Sequence, residues 1–382
     1  MTRHRFPFRG TAGAALVVAA LALGAGVPAL AAVPDGRWRR PATPVPTDRI
    51  SSLVAADAVN AASLWATGYV TAGTQPADYP VSTLALRWAG GAWTPTTVAD
   101  PVTGNGGESG RSVAAAGASD GWLVSQAWDV PVVRRWNGTE WRRVPFDLLD
   151  DDGLPVQLGK VDAAGGRAWV IATGIFDEIS STRVAAWDGA AWSWLPDLGF
   201  AYGDLTDSVA LARNDVWFVG GGFDGGLVFQ WNGRRWVDRL PARPDLNLTH
   251  VTATAADDVW VSGDRLVGEQ WGPVLMHWDG VAWSEVAVPA QLTTSGVTAG
   301  PGGVWLAATP TRADRSRYLH YDGAEFTVVD GPARPDAFSV DVEDLVTLPG
   351  RAEPFAVGSV EVLGQPERAM TEIRRPTAGT LE

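Results

Sequence analysis

The sequence contains no cysteine, a single lysine (Lys160) among thirty basic residues, and only four histidines in 382 residues. Without cysteine there is no disulfide framework, no thiolate nucleophile or thiolate metal centre, and no attachment point for a lipoprotein anchor. Stability must therefore come from burial of a core. Three histidines follow residue 32 and there is no Gly-x-Ser-x-Gly elbow, so nucleophilic catalysis has little to work with. Positive charge is also short: thirty basic against forty-three acidic residues leave a net charge of −13, which argues against nucleic acid and anionic membranes as partners. The nearly lysine-free basic set, with the alanine and glycine load, reads as a GC-rich bacterial coding bias.

Arg3, Arg5 and Arg9 precede an uncharged apolar run from about Thr11 to Ala32, broken by Gly24, Gly26 and Pro28 ahead of Ala29-Leu30-Ala31. This order predicts a signal peptide of Sec type over residues 1–32, with no twin arginine; the alternative is an uncleaved anchor, since the run is almost long enough to span. Residues 33–382 are then expected to be one exported bacterial domain, monomeric and not inserted in a membrane. Cleavage would remove three arginines and no acids, moving the net charge from −13 to −16.

The mature part is organised by a repeated hexapeptide. Trp136-Asn137-Gly138-Thr139-Glu140-Trp141 returns as Trp88…Trp93, Trp187…Trp192, Trp231…Trp236 and Trp278…Trp283, then as Tyr321-Asp322-Gly323-Ala324-Glu325-Phe326, at spacings of 43 to 51 residues. Asn-Gly between apolar runs predicts a two-residue type I′ hairpin, with Trp136 opposite Thr139 and Trp141 on the diagonal of the same face. Burying one indole removes about 200 Å² from water, roughly 5 kcal/mol before entropy is charged. A lone hairpin cannot hide two such rings, so the ribbons must stack.

Ahead of each hexapeptide lie a Val/Ala run and an aromatic-centred run, as in Val209-Ala210-Leu211-Ala212 and Asp215-Val216-Trp217-Phe218-Val219-Gly220. Seven such half-units stand against six hexapeptides. Four short strands per 40–50 residues predict an all-β, seven-bladed β-propeller with four antiparallel strands per blade. The seventh blade lacks its outermost strand, and Asp35-Gly36-Arg37-Trp38-Arg39-Arg40-Pro41 matches the missing half, so the N-terminal strand is expected to close the ring. A Pro-rich linker over residues 33–48 is the alternative.

The Asp-Val-Trp-x-x-Gly and Trp-Asp/Asn-Gly-x-x-Trp repeats resemble those of secreted actinobacterial β-propellers of the kelch/galactose-oxidase-like kind, over essentially the whole mature chain. The resemblance implies the fold and carries no particular activity. The chain departs from kelch repeats in having mostly one glycine after the second strand and a shorter aromatic spacing.

Candidate chemistry is sparse. Lys160, His250 and Asp344 stand near the starts of innermost strands, at positions matched to Ser112, Ser208 and Gly296, and could converge at the channel mouth as acid, base and charge. His277 and His320 precede hexapeptide aromatics and read as packing residues. Asp147-Leu148-Leu149-Asp150-Asp151-Asp152-Gly153 offers Asp150 and Asp152 as weak Ca²⁺ ligands, but in the wrong order for an EF-hand; a solvated acidic loop is the plainer reading. Outside the repeats, loops hold Tyr79, Trp128, Phe176, Phe200, Tyr202, Phe223 and Trp271 beside acids such as Asp129, Asp177, Glu178, Asp204 and Asp224. Of these, Trp128, Trp271, Tyr202, Phe223 and Asp224 are the candidate ligand contacts.

Three functions fit. The first is a non-catalytic exported scaffold that binds a protein or cell-envelope glycan across its loop face, with no cofactor. The second is a lectin-like propeller, disfavoured because the loop aromatics do not recur at matching positions. The third is an extracellular enzyme working at the channel.

Overall fold

Seven sheets stand in a ring, and no helix occurs among the described residues. The computed structural model describes residues 36–75, 80–103, 106–198, 203–223, 225–241, 243–289, 293–309 and 314–376. Blades 1 to 6 begin at the innermost strands Ser51–Asn60, Ser109–Gly117, Gln157–Ala164, Gly203–Ala212, Leu246–Ala255 and Thr293–Gly300, and each runs outward through three more antiparallel strands. Blade 7 comprises Ala337–Thr347, Pro354–Val362 and Arg368–Pro376, and is completed by Gly36–Arg39, which pairs with the last of these. The ring is thus closed as the repeat count predicts. Trp38 fixes that closure, stacking on Tyr318 of blade 6 at 3.9 Å and meeting Trp305 edge-on at 6.0 Å. Blade 2 has one unforeseen addition, Thr97–Val98, lying parallel to its outermost strand.

The hexapeptides are hairpins, but five of the six use a different turn from the one predicted. Trp136 sits directly opposite Trp141, as Trp187 does Trp192, Trp231 Trp236, Trp278 Trp283 and Tyr321 Phe326. Four residues lie between each pair, not two. Asn137 closes its loop with its side chain, Oδ1 accepting the N–H groups of Thr139 and Glu140 at 2.9 and 3.0 Å. Asp188, Asn232, Asp279 and Asp322 do the same, so Asp or Asn stands there for its oxygen rather than for positive φ. Blade 1 has Ala89 instead and therefore no acceptor. It alone makes the expected two-residue turn, Ala89 pairing with Ala92 around Gly90 and Gly91 at φ 62° and 90°.

Direct pairing places both aromatics on one face, where they grip the second-strand tryptophan of the preceding blade. Trp65 lies 4.8 and 5.1 Å from Trp136 and Trp141, Trp122 lies 5.4 and 5.3 Å from Trp187 and Trp192, and Trp217 lies 6.0 and 6.3 Å from Trp278 and Trp283. All three wedges are fully buried. This is how the ribbons stack. The glycine of Asp-Val-Trp-x-x-Gly has its own cause: a Cβ on Gly220 would strike the Asp204 carbonyl, and one on Gly263 the Asn247 carbonyl, on the neighbouring innermost strand.

Candidate functional site

Each innermost strand carries an irregularity that inserts extra length before its apolar run, between Leu205 and Asp207 in blade 4 and between Leu248 and His250 in blade 5. Counting from these bulges, the equivalent positions are Ala55, Ser112, Lys160, Asp207, His250, Gly296 and Asp344. The blade 4 member is Asp207, not Ser208 as the alignment on valines suggests. These residues lie midway along their strands rather than at the starts, and Lys160, Asp207, His250 and Asp344 among them line a central cavity of about 300 Å³.

Most polar groups here tie one blade to the next. An innermost strand has no sheet partner on its channel side, so its N–H groups there need acceptors. Val161 N–H donates to Ser112 Oγ at 3.2 Å, Val251 N–H to Asp207 at 2.9 Å and Ala56 N–H to Asp344 at 2.9 Å. One tier further along, Ala115 N–H donates to Asp57 at 2.7 Å, Ala210 N–H to Asp162 at 3.1 Å and Thr347 N–H to Thr298 Oγ1 at 2.9 Å. Each aspartate also accepts the N–H of the residue after it. Six of the seven seams thus hold one such bond; the seam between blades 5 and 6, where His250 and Thr252 stand, has none among the described residues. Asp57, Asp162 and Asp207 escape the sequence reading.

The cluster is electrostatically coupled. Lys160 Nζ lies 3.1 Å from Asp207 Oδ1. Burial opposes its charge, but Asp207, Asp344, Asp162 and Asp57 outweigh that, and the ammonium is held charged with its pKa raised. Burial and then the Asp57 charge push Asp162 up to about 8. Asp57 and Asp344 are raised by burial, with Lys160 and backbone N–H groups pulling against it. His250, bonded through Nδ1 to Thr249 Oγ1 at 2.8 Å, is lowered by burial against the pull of Asp207 and Asp344. Lys160, His250 and Asp344 therefore share one cavity wall, yet no hydrogen bond among the described residues joins any two of them.

The other histidines pack. His277 stacks on Trp260 at 4.1 Å with Nε2 2.9 Å from Asp258, and His320 stacks on Trp305 at 4.3 Å. In the acidic loop, Asp150 accepts N–H groups from Ile175, Leu154 and Asp152 at 3.0, 2.8 and 3.1 Å, which hold its carboxyl below the ordinary range. Its oxygens organise the loop. Asp152 is exposed.

The loop face is where apolar surface is left in water. Among the described residues, the large hydrophobic side chains left exposed are Trp128, Val130, Leu149, Leu154, Phe223, Val267, Trp271, Leu363 and Val281. All but Val281 lie on connections from second to third strand or from one blade to the next, or, for Val130, Val267 and Trp271, on the strand ends bordering them, and these connections emerge on one face. Trp128, Phe223 and Trp271 are 71, 86 and 54 % exposed. Trp128 and Trp271 sit on blades 2 and 5, three steps apart around the ring, so they do not form one patch. Trp128 and Phe223, however, do recur: each is the first residue of a two-residue turn, between the pairs Ala127–Val130 and Gly222–Gly225, contrary to the expectation that no loop aromatics match. Phe176 is buried beneath Arg183, whose guanidinium lies 4.4 Å from its ring. Tyr79, Phe200, Tyr202 and Asp224 lie outside the described residues.

No family model matches the chain and no curated protein matches it. Among solved structures it is similar to YCF48 bound to D1 peptide, at 15 % identity and TM-score 0.55, covering 89 % of this chain and 98 % of that one. It is also similar to the WD40 repeats of RRP9, at 12 % identity and TM-score 0.53, with coverage of 88 and 99 %. A third likeness is the β-propeller domain of the trilobed protease from Pyrococcus furiosus, at 8 % identity and TM-score 0.55, covering 86 and 96 %. That domain has an open velcro topology, whereas here Gly36–Arg39 closes the last blade. At these identities the likeness is one of fold.

Proposed function

We propose that the chain is an exported, non-catalytic binding scaffold that recognises a protein or cell-envelope ligand across its loop face. The observation that carries this reading is the concentration of exposed apolar side chains on that face, with one exception on the other. Contacts on blades 2, 4 and 5 are too widely spaced for one sugar ring and suit an extended or folded partner. YCF48, a structure of similar fold, is seen with a bound peptide. The channel carboxylates support a scaffold too, because each spends its oxygens on backbone N–H groups. Residues 1–32 act as the export signal, and the repeats are of the kelch/galactose-oxidase-like kind.

The test uses immobilised mature protein and a bacterial cell-envelope fraction, comparing wild type with Trp128→Ser/Phe223→Ser/Trp271→Ser and with Val281→Ser. Capture should be lost in the first variant and kept in the second. Equal capture by all three proteins would refute the loop-face reading. Export is checked by the N-terminal residue of secreted product, expected near Val33.

A further inference from the structure

The loop face is polarised in charge as well as in hydrophobicity. Over blades 2 to 4 the connecting segments 127–131, 145–157, 177–179 and 195–198 contain no lysine or arginine. They carry many exposed acids, and Asp129, Asp147, Asp152 and Glu178 have no cationic partner among the described ion pairs. Arg183, whose guanidinium reaches these loops from the third strand of blade 3, is already shared by Asp151, Asp177 and Asp197 at 2.9, 3.2 and 3.7 Å. That sharing also shows that both inter-blade loops and the blade 3 turn converge on one rim.

Exposed apolar groups are interleaved with these acids: Trp128 beside Asp129, and Leu149 and Leu154 flanking Asp151 and Asp152. The turns that present them are unusual. Trp128, Asp177 and Glu178 have φ of 50°, 52° and 67°, a region that a glycine would occupy without strain. A turn made only to connect two strands gains nothing from a tryptophan there.

Resting on the loop-face reading, we propose that the blade 2–4 sector docks a cationic polypeptide segment in which lysine or arginine alternates with apolar residues. Its cations would lie on Asp129, Asp152 and Glu178, its apolar side chains on Trp128 and Leu154, and an arginine over the Trp128 ring gains a cation–π contact. An anionic partner is repelled by this rim, and a neutral one leaves its carboxylates unmatched.

The experiment measures fluorescence anisotropy of a short labelled peptide alternating Lys/Arg with Leu/Phe, a version with Glu at every cationic position, and an uncharged oligosaccharide. The cationic peptide should bind the mature protein at least about tenfold more tightly than its inverted form, and weaken about fivefold between ~50 and ~300 mM salt. Trp128→Ala, and separately Asp152→Asn/Glu178→Gln, should each weaken it about three- to tenfold. Asp257→Asn/Glu325→Gln, on the opposite face, should leave it unchanged.

Equal weakening by the two charge-removal pairs means nonspecific attraction and overturns the proposal, as does no binding of the cationic peptide. Preferential binding of the inverted peptide or the oligosaccharide that Trp128→Ala abolishes overturns the cationic partner but leaves the loop-face reading standing. Binding indifferent to Trp128→Ala and lost in Val281→Ser overturns both.

Discussion

Replacing Asp207 with alanine tests whether the channel cluster is structural. The carboxylate accepts the Val251 N–H of the next blade at 2.9 Å and the Ser208 N–H at 2.9 Å, and it pairs with Lys160 at 3.1 Å. A hydrogen bond to an ionised group contributes about 1.5–3 kcal/mol net, and stripping one partner from a buried ion pair costs about 3–5 kcal/mol. These contributions overlap, because one carboxylate supplies both. Lys160 keeps 25 % of its side chain exposed and retains Asp344, Asp162 and Asp57 as neighbours, which favours the lower figure, about 3 kcal/mol.

Equilibrium unfolding in guanidinium gives the loss directly if the ring unfolds as one unit. At about 2.1 cal/mol/K of unfolding entropy per residue, a ring of this length loses roughly 1.4 °C per kcal/mol, so Tm should fall about 4 °C. Lys160→Met in the same background separates the two roles. With no ammonium left unpaired, the double variant should recover about 1–2 kcal/mol relative to the sum of the single changes. Asp207→Ala within about 0.5 kcal/mol of wild type, or strictly additive singles, would refute the reasoning.

Four other outcomes are expected. Asp162→Asn changes the pH profile: the native pKa of about 8 lies above the ordinary 3.8, so the contribution of its proton is complete below the lower value and fades as pH rises to the higher. Thermal melts should show wild-type stability falling from this group across that window and the variant losing that slope; parallel profiles would contradict the assignment. Trp231→Ala, removing a buried ring 5.2 Å from Trp236, should cost about 3–5 kcal/mol by denaturant titration. Deleting residues 33–45 removes the strand paired with Arg368–Pro376 and uncovers Tyr318 and Trp305; protease sensitivity should appear first in blade 7, and a melt like that of the intact chain would disprove its closing role. Hydrogen exchange should be faster at Val297 and Ala299, across the seam without a carboxylate tie, than at Val251 and Ala210, and equal protection would argue against the ties as the source of seam strength.

The architecture is legible because its signal is redundant. Seven Val/Ala-aromatic pairs give the blade count, six aromatic hexapeptides give the outer hairpins, and the mismatch of one places Trp38 in the last blade. The turns are misread because Asn-Gly satisfies two geometries. Only the direct Trp136–Trp141 pairing shows that Asn137 works through its side chain, and Ala89 is the one departure that betrays it. The channel is misread by a single residue, since a bulge lengthens a strand without changing its composition. In Thr206-Asp207-Ser208-Val209 the valine draws the alignment, and Asp207 drops out of the row that holds Lys160, His250 and Asp344. A polar residue within an alanine run, as in Ala56-Asp57-Ala58 and Val161-Asp162-Ala163, is the signal that could have found the other two.

Those aspartates also change what polarity in such a channel means. Seven innermost strands converge with their channel-side N–H groups unpaired by any sheet, so acceptors are needed there whatever the protein does. Asp57, Asp162, Asp207 and Asp344 meet that need, and Lys160 offsets the negative charge of those that are ionised. A buried acid–base cluster is ordinarily a reason to suspect catalysis. Here it follows from closing a ring of sheets, and it has a structural use for every carboxylate. No such need accounts for Trp128 at positive φ with its ring in water, or for acids left without cations around it. The weight of a functional reading therefore moves from the centre of the ring to the rim of its loop face.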